Sequence, residues 1–187
     1  LSGIENLPIG LKNLYIMGAT KIYNIQSLPP NLISFTWVAP YFSYNLLGID
    51  SFPSTLESLS IMNSGISSLP SLPIDLWKLD LRNNFNLTCL PRLPIGIDSV
   101  APNNFILDDL AITCLPNFIP AMSNKTYHNT PYYQMPFCTN DPITNPYACD
   151  AVKGVEGYVY EDINSNCNYD STENSIKNVP MKLHDGS

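Results

Sequence analysis

Leu72-Pro-Ile-Asp-Leu-Trp-Lys-Leu-Asp-Leu-Arg-Asn-Asn84 is the stretch that decides the fold, because its apolar spacing recurs along the chain. Written as a pattern it is Leu-Pro-x-x-Leu-x-x-Leu-x-Leu, and copies begin at Leu7, Leu28, Phe52, Leu72 and Leu93, with a sixth start at Leu115. The five copies are separated by 21, 24, 20 and 21 residues, and self-similarity at such a period marks a stacked-repeat architecture. Within the copies Leu14 and Ile16, Phe35 and Trp37, Leu59 and Ile61, and Leu79 and Leu81 alternate with a period of two. That is the pattern of a short strand with one buried face. The prolines at 8, 29, 53, 73 and 94 fix φ and carry no N–H, so each ends a return path and delivers the chain into the next strand. One such unit cannot bury its own apolar face, whereas about three or more stacked copies make a parallel sheet over a continuous core.

Composition bounds the rest. At 187 residues and 44% hydrophobic, the chain can bury a sizeable core as one or two domains. Only 13% of residues are charged and 17 are Pro, which is neither an ordinary enzyme composition nor the charge-rich, apolar-poor signature of disorder. A net charge of -7, with nine Lys and Arg spread along the chain, argues against a phosphate-binding surface and so against nucleic acid as a partner. No run approaches the roughly 20 apolar residues of a membrane span, and the first residues lack the basic-then-apolar order of a signal peptide. The opening Ile4-x-x-Leu7 matches the repeat tails Ile66-x-x-Leu69 and Leu87-x-x-Leu90, so the N-terminus is expected to be cut from something longer.

These residues resemble the leucine-rich repeat family, whose motif is Leu-x-x-Leu-x-Leu-x-x-Asn-x-Leu, and within it the short bacterial class with Leu-Pro at the repeat boundary. The resemblance covers residues 1–120. It implies a leucine-rich repeat solenoid of the α/β horseshoe class, mainly parallel β with an irregular convex side, used as a recognition scaffold for many kinds of partner. The family's Asn, whose side chain satisfies backbone groups in the turn after the strand, is Asn84; Ala19, Pro40, Ser64 and Phe105 stand in its place elsewhere. The second and fifth repeats are therefore expected to be irregular. The resemblance also implies that the residues between the strand leucines face a concave surface: Tyr15, Thr36, Ser60, Asp80 and Ala101, flanked by Met17, Lys78 and Arg82. That row is the candidate partner-binding surface for a protein or glycan, set against the plainer reading of solvated strand positions. Small side chains such as Ser60 make poor anchors. Five strands spaced about 4.8 Å apart and about 15 Å long give a face of only a few hundred Å², against about 800 Å² per partner in a standard interface.

Cys89 and Cys114 occupy the same repeat position, in Leu-Thr-Cys89-Leu-Pro and Ile-Thr-Cys114-Leu-Pro, and are expected to point into the core one above the other. Stacked thiols are the default reading; a bond between them is open, since adjacent parallel strands put equivalent residues about 5 Å apart. Cys138, Cys149 and Cys167 lie outside the repeats, and no Cys has metal-site spacing with His128 or His184, which speaks against zinc. Residues 121–151 read as a cap and linker. From residue 116 onward, Pro at 116, 120, 131, 136, 142 and 146 and the aromatics Tyr127, Tyr132, Tyr133 and Tyr147 stand among Asn and Thr. The aromatics are expected to cover the end of the solenoid core, with Cys138 or Cys149 stapling the cap. Asn86-Leu-Thr88 and Asn124-Lys-Thr126 match the glycosylation sequon and are read as chance matches, given the bacterial look of the repeats.

Further on, Val155, Gly157 and Val159 alternate with Glu156, Tyr158 and Tyr160 as in a strand. The loop after it places the oxygen-bearing side chains of Asp162, Asn164, Asn166, Asp170 and Glu173 at relative positions 1, 3, 5, 9 and 12, with the backbone carbonyl of Asn168 at 7. That is the ligand spacing of an EF-hand-type calcium loop: alternate positions aim hard oxygens inward, and Glu173 is placed to bind through both of its oxygens. Position 6, normally Gly, is Cys167, whose Cβ resists φ > 0; the alternative is an Asn- and Asp-rich turn that binds nothing. Asn178-Val-Pro-Met-Lys-Leu-His-Asp185 alternates again as a strand. Residues 152–187 resemble the B-type repeat of bacterial surface proteins, which implies a calcium-binding immunoglobulin-like β-sandwich used as a stalk. Such a sandwich needs about 100 residues, so the segment is expected to be a partial, truncated one. The resemblance also suggests a Cys149–Cys167 bond tying the loop to the linker.

No catalytic constellation is present; the closest acid pair, Asp108-Asp109, sits where a repeat degenerates. The expected function is that of a secreted or cell-surface bacterial recognition and adhesion protein, not an enzyme. It would bind a protein or glycan through the repeat face and be presented on a calcium-stabilised stalk. The alternative is a secreted effector with a downstream ubiquitin-ligase-type domain, as some proteins of the Leu-Pro class carry. That continuation would be helical with a catalytic Cys, whereas here it reads as β structure with a calcium loop.

Overall fold

The computed structural model describes residues 4–19, 22–40, 46–98, 103–123, 125–143 and 145–150. All of them fall in the first of the two units into which the chain divides, Leu1–Lys153. Ala101, Asn124, Cys167, His184 and the whole B-type segment 152–187, with its proposed calcium ligands Asp162, Asn164, Asn166, Asn168, Asp170 and Glu173, lie outside the described residues.

In chain order the strands are β1 (Asn13–Met17), β2 (Asn24–Ile25), β3 (Ser34–Val38), β4 (Gly48–Ile49), β5 (Ser58–Met62), β6 (Lys78–Asp80), β7 (Phe105–Ile106), β8 (Thr126–Tyr127) and β9 (Thr130–Pro131). One five-stranded sheet runs β1-β3-β5-β6-β7; β2 and β4 form a second ladder, and β8 and β9 a hairpin. Every pairing in the first two sheets is parallel. Helix is confined to single 3₁₀ turns at Ile4–Asn6, Pro120–Met122 and Tyr132–Gln134 among the described residues. The architecture is a mainly parallel β-solenoid, the coarse form of the repeat fold expected from the sequence.

The repeat pattern acts at two points. Before each strand, the carbonyl of Pro8, Pro29, Pro53, Pro73 or Pro94 accepts from the N–H three residues on, at Leu11, Leu32, Leu56, Leu76 or Ile97, over 3.0 to 3.4 Å. Each Leu-Pro boundary is thus a closed β-turn that reverses the chain into the sheet. After the strand, Gly18, Asn63, Asn83 and Asp109 adopt φ of 73°, 57°, 61° and 58°. Gly pays no Cβ penalty in that left-handed region, and Asn and Asp tolerate it best among the rest. The Asn83 amide also donates to the Asn63 side-chain carbonyl at 2.7 Å, tying the two turns together.

Between these points the apolar side chains stack in rows. Phe35, Leu59, Leu79 and Phe105 form one, and Trp37, Ile61, Leu81 and Leu107 another, all buried. Leu32, Leu56, Leu76 and Ile97 line the turn side. Asn84 takes the role expected of it: its amide donates to the carbonyls of Ile61 and Leu81, and its oxygen accepts from the N–H and hydroxyl of Ser64. Ser64, standing where the previous repeat has no Asn, is therefore a hydrogen-bonding partner of Asn84 and fully buried. Trp37 is enclosed, and among the described residues its indole N–H has no hydrogen-bond partner.

Two expectations are corrected. The second repeat is regular through its strand, since β3 pairs over all five residues with both β1 and β5. In the fifth repeat the strand lies further along: Phe105 stands opposite Leu79, and Ile106 opposite Asp80. Phe105 is a core strand residue and not the occupant of the Asn position, and Ile106 takes the place proposed for Ala101. Pro102 has no N–H to give the ladder, whereas Phe105 and Leu107 supply two large apolar residues at the strand period.

Past the repeats, the chain closes the end of the core. Met122, Tyr127 and Tyr132 are buried there, with the rings of Phe105 and Tyr132 5.9 Å apart between centroids. Lys125 donates from Nζ to the Phe105 carbonyl at 2.7 Å and lies over its ring. His128 and Asn129, both at positive φ, make the two-residue turn between β8 and β9, the mirror-image geometry that hairpins favour. Of the aromatics expected to cover the end, Tyr127 and Tyr132 are buried and Tyr147 stays 48% exposed.

Leu79 is fully buried in the middle of its row, so Leu79→Ala is expected to cost about 2 to 5 kcal/mol of stability, as for other buried leucines. Urea unfolding measures this, and a near-zero change would contradict the register described here.

Candidate functional site

The sheet face presents in register Tyr15, Thr36, Ser60, Asp80 and Ile106, one from each strand. Their exposure is uneven. Tyr15 and Met17 on the edge strand β1 are 63% and 69% exposed. The Tyr15 hydroxyl points at the Met17 sulfur, 3.5 Å away. Thr36, Lys78 and Arg82 are half-buried. Ser60 and Asp80 are each only 3% exposed, which corrects the expectation that the whole row is solvent-facing. Ser60 is a short side chain between Thr36 and Asp80, and Asp80 lies against the guanidinium of Arg82.

That last contact is a bidentate pair. Arg82 Nε lies 2.9 and 3.1 Å from the two Asp80 oxygens, and a terminal nitrogen also donates to the carboxylate. Asp80 ends β6 and Arg82 stands two residues on, in the turn that follows, from which its fork matches the carboxylate geometry. Hydrogen bonding to Asp80 holds the guanidinium pKa above its ordinary value, against the opposing pull of burial. The charges of Asp80 and Arg82 are thus largely spent on each other. The face therefore grades from aromatic and thioether at β1 to hydroxyls in the middle and a satisfied ion pair beside Lys78 at β6.

Three exposed isoleucines escaped the sequence reading. Ile9, Ile74 and Ile95 are 71%, 74% and 71% exposed at the same place in their Leu-Pro-Ile turns. The signal was present, since Ile follows Leu-Pro in three of the five copies. Trp77 is also exposed beside Ile74's turn.

The second constellation is built of sulfur. Cys89 bonds to Cys149 and Cys114 to Cys138, with Cα atoms 5.3 and 4.9 Å apart. Cys89 and Cys114 are not joined to each other, and Cys149 is taken by Cys89 and not by Cys167. Both repeat cysteines do point to one place, as their equivalent positions require, but each meets a cysteine returning from the cap. Cys138 reaches Cys114 because the chain pairs Leu115 with Phe137 in parallel. Cys149 is set by Asn145, whose side chain accepts from the Cys149 N–H at 2.9 Å and donates to the carbonyls of Thr139 and Cys149 at 2.8 and 2.7 Å. The sulfurs of Cys114, Cys138 and Cys149 lie within 4.8 Å of one another. As disulfide sulfurs they have no thiolate to offer a metal. Closing loops of 24 and 60 residues, such bonds typically stabilise a fold by about 3 to 4 kcal/mol each.

Burial in the cap pushes the Tyr127 phenol up to about 12, with Asp109 and Asp108 adding to the shift and the Ile112 backbone opposing it. Burial raises Tyr132 as well. An unfolded tyrosine ionises near pH 10, so between about 10 and 12 the unfolded chain binds fewer protons than the folded one, and stability falls as pH rises. The urea midpoint is expected to be unaffected by Tyr127 below pH 10 and to drop through this window. Tyr127→Phe should flatten the drop, and an unchanged slope would mean that Tyr127 does not seal the cap.

No family model matches the chain, and no curated protein matches it.

Proposed function

We propose that the chain is a secreted or cell-surface bacterial recognition and adhesion protein. On this reading a leucine-rich repeat solenoid of the short Leu-Pro class binds a protein or glycan through its sheet face, and a calcium-stabilised B-type domain beginning near residue 152 presents it. The observation that carries the extracellular part is the pair of disulfides joining the last repeats to the cap. Such bonds persist in oxidising compartments and are rare where thiols are kept reduced. The same observation weighs against an effector that carries a ubiquitin-ligase-type domain and works in a reducing cytosol.

Leu-Pro turns with their closing hydrogen bonds and the side-chain bonds of Asn84 support the family reading. The exposed pair Tyr15 and Met17 is the part of the face best suited to a partner, because aromatic anchors contribute most at interfaces. Lys78 and the Asp80–Arg82 pair supply the polar side, with Thr36 and Ser60 between. The low count of Lys and Arg and the net charge of -7 disfavour nucleic acid. Among the described residues no helix is long and apolar enough to cross a membrane. No activity as an enzyme is proposed.

Calcium titration by calorimetry tests the presenting module. Extracellular sites bind at about 10⁻⁴ to 10⁻³ M, so the titration must reach several millimolar. Saturable binding that is lost in Asp170→Ala and in Glu173→Ala, with the β-rich circular dichroism of the repeats unchanged, is the expected result. Absence of binding would leave residues 162–173 as a turn and remove the calcium part of the reading. Loss of the repeat fold in either variant would refute the division into two modules.

A further inference from the structure

The Cys89–Cys149 bond spans 60 positions of chain and encloses the Cys114–Cys138 bond within them. Everything from the end of the fourth repeat to the last residues of the cap therefore lies inside one covalent loop. Within it are β7, the Phe105 and Leu107 ends of the core rows, and the hairpin of β8 and β9. Residue 150 and all that follows it is attached to the solenoid by two covalent routes. One is the backbone through residues 90–148. The other, two sulfur atoms long, leads straight to Cys89, five residues past Asn84, whose amide bonds to the Ile61 and Leu81 carbonyls. A pull on the downstream chain takes the shorter route, because a slack 60-residue loop bears no tension while a disulfide across its base is taut.

We propose that Cys89–Cys149 is a load-transfer tie. Tension applied downstream of Cys149 enters the repeat stack at Cys89 and bypasses the cap. The cap is placed to need such protection. It is made of two-residue strands and single 3₁₀ turns, with short ladders to resist shear. Its loop between Cys138 and Cys149 is also the part most open to attack, with residues 139–143 all exposed and Ile143 at 87%. Exposed loop tips are where proteases nick. A cut there leaves the upstream piece held by Cys114–Cys138 and the downstream piece by Cys89–Cys149, so the chain stays in one covalent body. The tie holds whatever the repeats bind and whether or not the downstream segment holds calcium.

Single-molecule stretching of the full chain between its two ends tests this. Fully extended chain contributes about 3.3 to 3.6 Å per residue, so the oxidised protein is expected to stretch to a contour shorter by about 200 Å than the same molecule after dithiothreitol. Equal lengths, a deficit of about 80 Å from Cys114–Cys138 alone, or one of about 140 Å from Cys114–Cys138 with a Cys149–Cys167 bond, overturns the proposal. The double variant Cys89→Ser with Cys149→Ser should fall short of the reduced length by only about 80 Å without reductant, the stretch that Cys114–Cys138 still closes. Should that variant fail to fold, limited proteolysis of the native protein decides independently. Cleavage within 139–143 is expected to give one band on a non-reducing gel and two after dithiothreitol, and release of a fragment without reductant would refute the tie.

Discussion

The solenoid depends on one hydrogen bond made again in each turn, from the residue that leaves a strand to the next repeat. Gly18 donates to the Val38 carbonyl, Ala39 to Met62, Asn63 to Arg82 and Asn83 to Asp108, at 2.9 to 3.3 Å. It keeps the strands in register at the point where the chain must turn out of the sheet. Register matters because side chains in a strand alternate sides, and a slip of one residue would expose Phe35 and Trp37 and bury Thr36. In three of those turns the geometry calls for φ > 0, and Gly or Asn is what stands there. Local conformational preference and long-range pairing thus agree, which is what lets a sequence of weakly similar copies specify a single stack.

A stack of this kind has two ends with different needs. At the far end the rows finish on Phe105 and Leu107 and are sealed by Tyr127, Tyr132 and Met122, with the Tyr127 hydroxyl donating to the Leu110 carbonyl. At the near end Leu11, Leu14 and Ile16 are only half-buried, where Leu32, Phe35 and Trp37 in the next repeat are fully enclosed. Because each repeat touches only its neighbours, stability is local. Among the described residues the cross-links lie at the cap, and β1, at the other end of the sheet, carries the most exposed aromatic of the face.

Much of the fold was legible because it is written at fixed spacing. The Leu-Pro boundaries and the strand pairs follow from periodicity and backbone chemistry, and the role of Asn84 from the resemblance of its repeat to the leucine-rich motif. What failed has physical reasons that spacing does not encode. The fifth strand moved to Phe105 because a proline interrupts the spaced copy. Ser60 and Asp80 are buried because exposure depends on the size and pairing of neighbours, and Arg82 turns onto Asp80. Cysteine partners were illegible because they are chosen by how the cap returns, through the Leu115–Phe137 bridge and the Asn145 side chain, and neither has a repeat signature. The reverse also occurred: Gly18, Asn63, Asn83 and Asp109 carried a readable left-handed turn signal in the sequence.

The two tryptophans give the chain an optical consequence. Trp37 is fully enclosed in the second repeat, its indole N–H without a hydrogen-bond partner among the described residues, whereas Trp77 in the fourth is 42% exposed. An indole in an apolar, unbonded site emits at shorter wavelength than one in contact with water, so the second and fourth repeats emit in different colours. Loss of the blue component therefore reports the opening of the second repeat around Trp37. Fluorescence of the unlabelled protein follows that one position of the stack.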